Sequence, residues 1–261
     1  MTELRFAQID AFADRPFTGN SAAVMPLDSW LPDETLQAIA MENNLSETAF
    51  TIPGEDEGVD YELRWFTPTV EVVLCGHATL ASGHVLIGER DRVRFRTRHA
   101  GMLEVARDGD GYAMSLPAWK PDPKPLPDVL AALGCEARET LWHHGRYALI
   151  VVDSEADVLA VKPDFRALAA IGDILTIVTA PGSGTDMTSR VFAAGAGIDE
   201  DPVTGSAHCV SVPYWAERLG KSALTAWQAS ERGGHLTGRL EGDRVILGGR
   251  CVTIIDGVMR I

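Results

Sequence analysis

The chain has no apolar run of membrane-spanning length, and its first residues, MTELRFAQID, show no basic segment leading into an apolar one. Neither a transmembrane helix nor a secretory signal is expected, and the expected compartment is the cytoplasm. Basic residues are scarce: 23 Lys and Arg stand against 37 Asp and Glu, a formal net charge of −14. No nucleic-acid partner is expected, because phosphate binding needs a basic footprint. An anionic ligand must instead be held by local dipoles or single cations. Cysteine is sparse too. Cys75, Cys135, Cys209 and Cys251 form no C-x-x-C pair, and the seven histidines show no H-E-x-x-H spacing. These absences leave a disulfide scaffold and a metal site without support. His143 and His144 are adjacent, and strand neighbours point to opposite faces, so they are not expected to act together.

The 261 residues are 46% apolar and 23% charged, ordinary values for a globular chain with one large core or two smaller ones. LRFAQIDAF (4–12) reads as a central strand, with both faces apolar. A helix is expected over 31–43, where Pro32 lies early and Asp33 and Glu34 fill the first turn. Strands follow at 48–52 and 61–67, then a buried helix at 77–89 and three short strands. PAWKPDPKPLP (117–127) carries five prolines and reads as an extended, semi-rigid connector. It separates a domain of 1–116 from one of 128–261; a return of the last strand to the first domain is compatible with that division. The second half repeats the pattern, with strands at 146–153, 174–180 and 189–195. The apolar helix 206–220 follows, with Pro213 expected to kink it or to lie in its first turn. Strands close the chain.

Both halves enter their apolar helix through a glycine, in CGHATLAS (75–82) and TGSAHCVS (204–211). Aligning Gly76 with Gly205 also aligns Ala78 with Ala207 and Ser82 with Ser211, always at an offset of 129 residues. With matching elements on either side, this suggests a duplicated fold with pseudo-twofold symmetry. Two such helix N-termini facing a cleft could seat a carboxylate or a developing oxyanion, since each offers unpaired N–H groups. The plain alternative is two buried helices with glycine at tight packing points.

DEDPVTGSAH places Asp201 just before the second helix and Ser206 at its start. They are either caps or hydrogen-bonding partners of a ligand. His77, at the first helix start, is either a cap or a proton shuttle. Glu47, in NNLSETAF (43–50), sits where a helix gives way to a strand. It is either a solvated loop acid or a general acid/base, because desolvating a carboxylate favours its neutral form.

Together, IDAFADRPFTGNSAAV, NLSETAF, RWFTPTVEVVLCGHATLAS and RVFAAGAGIDEDPVTGSA resemble the PhzF family, the isomerase-like proteins of phenazine biosynthesis. The four motifs run in order along essentially the whole chain. The resemblance implies an α/β (α+β) chain of two similar diaminopimelate epimerase-like domains, each a curled, mostly antiparallel sheet around a central helix. It also implies an active site in the cleft between them, commonly a homodimer, and no cofactor. The family's catalytic glutamate falls on Glu47, its histidine on His77, and its Asp and Ser on Asp201 and Ser206. Gly19 and Asn20, with the helix-start glycines Gly76 and Gly205, are expected near a small anionic substrate. In the characterised type, a glutamate moves a proton from C3 to C1 of trans-2,3-dihydro-3-hydroxyanthranilate. This chain departs from the pattern at Val73, where many relatives carry Asp, and His208 and Cys209 receive no role. Two alternatives stand beside the glutamate reading. One is a two-thiol racemase or epimerase using Cys75, for which the alignment puts Thr204 opposite and leaves only Cys209, deeper in its helix. The other is a non-catalytic small-molecule binder.

Overall fold

The computed structural model describes all 261 residues. The first elements are β1 (Glu3–Ala11), β2 (Asn20–Pro26), α1 (Asp33–Asn43), β3 (Glu47–Pro53), β4 (Tyr61–Phe66) and β5 (Glu71–Val72). Then come α2 (Gly76–Leu86), β6 (Arg92–Thr97), β7 (Met102–Asp108), β8 (Gly111–Pro117) and β9 (Asp122–Pro123). Next are α3 (Pro127–Leu133), β10 (Glu139–His143), β11 (Tyr147–Val151), α4 (Glu155–Ala160) and α5 (Phe165–Ile171). β12 (Leu175–Pro181), β13 (Met187–Phe192), α6 (Gly205–Leu219), β14 (Ala223–Gln228), β15 (Gly234–Glu241), β16 (Arg244–Gly249) and β17 (Cys251–Arg260) complete the chain.

The chain divides into two compact units, one of Met1–Ser115 with Gly248–Ile261 and one of Leu116–Leu247. In the first unit, β2 lies antiparallel to β1 and parallel to β3, and β4 lies antiparallel to β3 and parallel to β6. β6, β7 and β8 form an antiparallel meander, and β17 pairs antiparallel with β1 along its length. Helix α2 is buried from His77 to Gly83, so the sheet wraps a helix that is covered all round, with the polar His77, Thr79 and Ser82 buried in it. On the other face, α1 packs Leu36, Ile39 and Ala40 against Met25, Phe50 and Phe66.

The second unit repeats this scheme. β11 is parallel to β12, β12 antiparallel to β13, β13 parallel to β14, and β14 antiparallel to β15. Helix α6 is buried from Ala207 to Ala216. On the outer face, Val129 and Leu133 of α3, Val158 of α4 and Leu168 of α5 share a core with Ile150, Val178 and Phe192.

The repeat extends to single contacts. Ser82 Oγ donates to the Ala78 carbonyl at 2.7 Å, and Ser211 Oγ donates to the Ala207 carbonyl at 3.1 Å. In the first unit, Gly83 on the central helix meets Val105 on β7; in the second, Val212 on the helix meets Gly238 on β15. The same helix–strand contact is made with the large and small partners exchanged. A Cβ on Gly83 would lie 2.4 Å from Val105 Cγ1, on a stiff β-branched side chain. Gly83→Ala is therefore expected to cost about 1–3 kcal/mol. A thermal melt checks this, and Val105→Ala in the same chain should recover part of the loss.

Several expectations need correction. The helix expected over 77–89 ends at Leu86, because Gly88 takes φ +55 and Arg90 caps the last turn. Its Nη2 donates to the Leu86 carbonyl at 2.7 Å and its Nε to that of Ile87 at 3.2 Å. Pro213 lies in the middle of α6, and the helix runs through it. The Cys209 carbonyl, which the missing Pro213 N–H would have bonded, accepts instead from the Trp119 N–H at 2.9 Å. The proline-rich segment is not a separate connector. It belongs to the second unit, where β9 pairs with Leu141 and Trp142 and Pro127 opens α3. Residues 248–261 belong to the first unit. His143 and His144 do not point apart: their ring centroids are 4.1 Å apart. They sit where β10 gives way to a tight turn, with Arg146 at φ 71, so strand alternation does not apply.

Candidate functional site

The first cluster is assembled by β1, β2, β3 and the start of α2. Helix α1 stops because Asn44 turns left-handed (φ 48), and its N–H bonds the Ala40 carbonyl at 3.1 Å. Asn43 Nδ2 donates to Thr48 Oγ1 at 3.1 Å, tying the helix end to the strand. Glu47 is thereby the first residue of β3, opposite Ala22 of β2 in parallel register. Asn20 opens β2, and the buried Asp10 of β1 fixes the turn before it. Asp10 Oδ2 accepts from the Phe17 N–H at 2.8 Å, and Oδ1 accepts from Ser21 Oγ at 2.6 Å.

His77, in the first turn of α2, is the hub. Its Nε2 lies 2.9 Å from Glu47 Oε2, with side-chain exposures of only 6% and 12%. The two atoms make a close charge contact, but neither is aligned for a hydrogen bond. Nδ1 faces Asn20 Nδ2 at 3.2 Å and Cys75 Sγ at 3.6 Å. Glu47, Asn20 and His77 are thus brought together, with Cys75 as a fourth member. Gly19, at φ +68, shapes the turn: a Cβ there would sit 2.2 Å from the Ala11 carbonyl oxygen. Val73, on the loop leading into α2, is 63% exposed.

Burial alone would push the His77 imidazole down, but the facing Cys75 sulfur and Glu47 carboxylate reverse this and hold it well above its ordinary value. The Cys75 thiol is itself pushed up, by burial first and by Glu47 second, so it holds its proton at neutral pH. A raised folded-state pKa means protonated His77 stabilises the fold. That contribution is complete below the ordinary value of 6.5 and is lost as pH rises through the raised value. The difference in melting temperature between the wild type and His77→Gln should therefore shrink as pH increases above 6.5, which melts across a pH series would check.

The second cluster surrounds the start of α6. Asp201 accepts a hydrogen bond on Oδ2 from Thr204 Oγ1. The fully buried Gln228 clamps the same segment. Its Nε2 donates to the Asp201 carbonyl at 2.7 Å, and its Oε1 accepts from the Thr204 N–H at 2.9 Å. Ser206 faces Tyr147 instead: burial pushes the Tyr147 phenol up, and the Ser206 hydroxyl opposes the rise. His208 acquires a structural role. Its Nδ1 donates to the Thr204 carbonyl at 2.8 Å, just as Thr79 Oγ1 donates to the Cys75 carbonyl at 2.5 Å in the first unit. Burial pushes His208 down to about 4, so the ring is neutral.

Cys75 and Thr204 hold equivalent places as the extended N-cap residues of α2 and α6. Neither N-cap side chain hydrogen-bonds its helix, and neither helix has an acid in its first turn. The positive ends of both dipoles are left uncompensated by their own helices. Gly76 and Gly205 are the first residues of these helices. Among possible ligand atoms, those of Glu47, Cys75 and His77 lie within 4.8 Å of one another. Sequence reasoning missed Asp10, Tyr147 and Gln228. An acid within the apolar run of β1 was a signal for Asp10; nothing in ALTAWQ marks Gln228.

A family model described as "Phenazine biosynthesis-like protein" matches residues 9–257. An uncharacterised isomerase of Pseudomonas aeruginosa is 50% identical, covering 99% of this chain and 100% of that protein. The crystal structure of a PhzF-family phenazine biosynthesis protein of Enterococcus faecalis superposes with a TM-score of 0.93 at 42% identity, covering all of both chains. A hydroxyproline epimerase from Agrobacterium vitis shares the fold, with a TM-score of 0.56 at 12% identity over 98% of this chain and 92% of that one.

Proposed function

Because the chain belongs to the phenazine biosynthesis-like (PhzC-PhzF) family, we propose that it is a cofactor-independent isomerase moving a proton on a small carboxylate-bearing substrate, with Glu47 as general acid/base. The observation that carries this reading is the buried 2.9 Å contact between Glu47 Oε2 and His77 Nε2. Glu47 takes a proton from carbon, and the electron pair left behind is delocalised into an adjacent unsaturated system. The same carboxyl group then returns the proton at a second carbon, so no proton is gained or lost. His77 steadies the carboxylate form of Glu47, and Asn20 and Cys75 hold the other edge of its ring. The start of α2 at Gly76, in the same unit as Glu47, has no acid in its first turn and no side-chain cap, which suits a substrate carboxylate or a developing oxyanion. Within the second unit, Asp201 orders the segment that leads into α6.

The two-thiol reading is disfavoured by the second unit. Thr204 stands where the second thiol would be, and Cys209 lies deeper, its thiol pushed up to about 12 by burial. The remaining contest is between an isomerase and a binder. Small unsaturated carboxylates would be screened by thermal shift, and hits incubated with the protein in heavy water. Deuterium appearing on ligand carbon is the expected result. Ligands that bind tightly and exchange nothing would overturn the isomerase reading.

A further inference from the structure

We propose that Phe17 and Val73 form an apolar wall beside the Glu47–His77 cluster and select a substrate whose flank is hydrocarbon, with no hydroxyl or amino group on that side. The inference rests on the reading that this cluster takes a small carboxylate. Two loops of the first unit meet on the Nδ1 edge of His77. Phe17 lies three residues before Asn20, whose Nδ2 is 3.2 Å from Nδ1. Val73 lies two residues before Cys75, whose Sγ is 3.6 Å from the same nitrogen. After Met1, these are the two most exposed large apolar side chains of the chain, at 75% and 63%. Apolar side chains scattered singly over a surface need no explanation, but two on loops that converge on one buried ring do.

The backbone at Phe17 supports the same role. It takes φ 70, in the left-handed region that is costly for a bulky side chain. The turn is nevertheless held fast there. Asp10, only 1% exposed, accepts from the Phe17 N–H at 2.8 Å and from Ser21 Oγ at 2.6 Å. Thr18 Oγ1 donates to the Arg15 carbonyl at 2.8 Å. Stability alone would place glycine or asparagine at this φ and a polar side chain at this exposure. Instead, a buried carboxylate fixes a strained residue whose ring lies mostly in solvent. Strain of this kind concentrates at ligand contacts. A hydrocarbon flank lying on Phe17 and Val73 removes their apolar surface from water. A hydroxyl in its place loses its own water and finds no partner on either side chain.

The test uses the full-length chain and matched methyl- and hydroxybenzoates, substituted ortho, meta or para, as carboxylate probes of nearly equal size. Binding at the cluster is read from the His77 imidazole resonances, identified by their loss in His77→Gln. In at least one pair the methyl probe should bind about 10-fold more tightly than its hydroxyl partner. Phe17→Asn should bring that ratio close to unity, and Val73→Ser should narrow it. Asparagine tolerates the left-handed backbone, so the melting midpoint of Phe17→Asn should not fall, which separates a lost contact from a lost fold. The proposal is overturned if no methyl probe outbinds its hydroxyl partner, or if the ratio survives Phe17→Asn. A variant that keeps the ratio and changes only its sedimentation would make Phe17 a contact between copies instead. These outcomes leave the carboxylate reading standing. If no methylbenzoate moves the His77 resonances, both fall.

Discussion

Replacing Glu47 by Gln is expected to lower the rate of solvent-deuterium exchange into a bound substrate by about 10²–10⁴-fold, the range spanned by a lost general acid/base. Gln keeps the length and shape of the side chain and can still approach His77 Nε2, so the cluster of Asn20, Cys75 and His77 should persist. What Gln cannot do is carry a proton between two carbons. The loss should therefore fall on the exchange rate, while ligand affinity changes little. Exchange that persists in Glu47→Gln at near the wild-type rate would remove Glu47 from the mechanism and direct attention to another acid.

Replacing Gly19 by Ala is expected to destabilise the protein by about 2–4 kcal/mol, combining a left-handed backbone penalty with steric overlap. Gly19 has φ +68, and a Cβ there would lie 2.2 Å from the Ala11 carbonyl oxygen and 2.9 Å from Ala13 Cβ. Backbone atoms cannot move aside as a flexible side chain can. The turn already holds Phe12 at φ 56 and Phe17 at φ 70, both costly for bulky residues. Asp10 secures it by bonding the Phe17 N–H and Ser21 Oγ. At about 2–4 °C per kcal/mol for a chain of this size, the melting midpoint should fall by roughly 5–15 °C. An unchanged midpoint would show that the turn relaxes freely. Gly19 is thus expected to act by setting where β2 starts, and hence where Asn20 meets His77.

Much of the architecture was legible in the sequence. The glycine-led apolar helices announced the repeat, and in the structure Gly76 and Gly205 both open buried helices within sheets of matching strand pairing. The proline-rich segment misled, because proline removes hydrogen-bond donors without preventing a short edge pairing such as that of Asp122 and Pro123 with β10. The adjacent histidines misled because alternation holds only inside a strand, and His143 ends one.

By itself the sequence determined the element types, the duplication and the family, since these depend on local periodicity, turn chemistry and the order of motifs. Only the tertiary structure decided what Glu47 faces. Asn20 and His77 lie 57 residues apart in the chain, and Glu47 reaches them through the register of β3 on β2. A slip of one residue would turn Glu47 to the opposite face of the sheet. That register is set by contacts such as Asn43 to Thr48, by the left-handed turns at Asn44 and Gly19, and by the burial of Asp10, all of which depend on where distant segments meet in three dimensions.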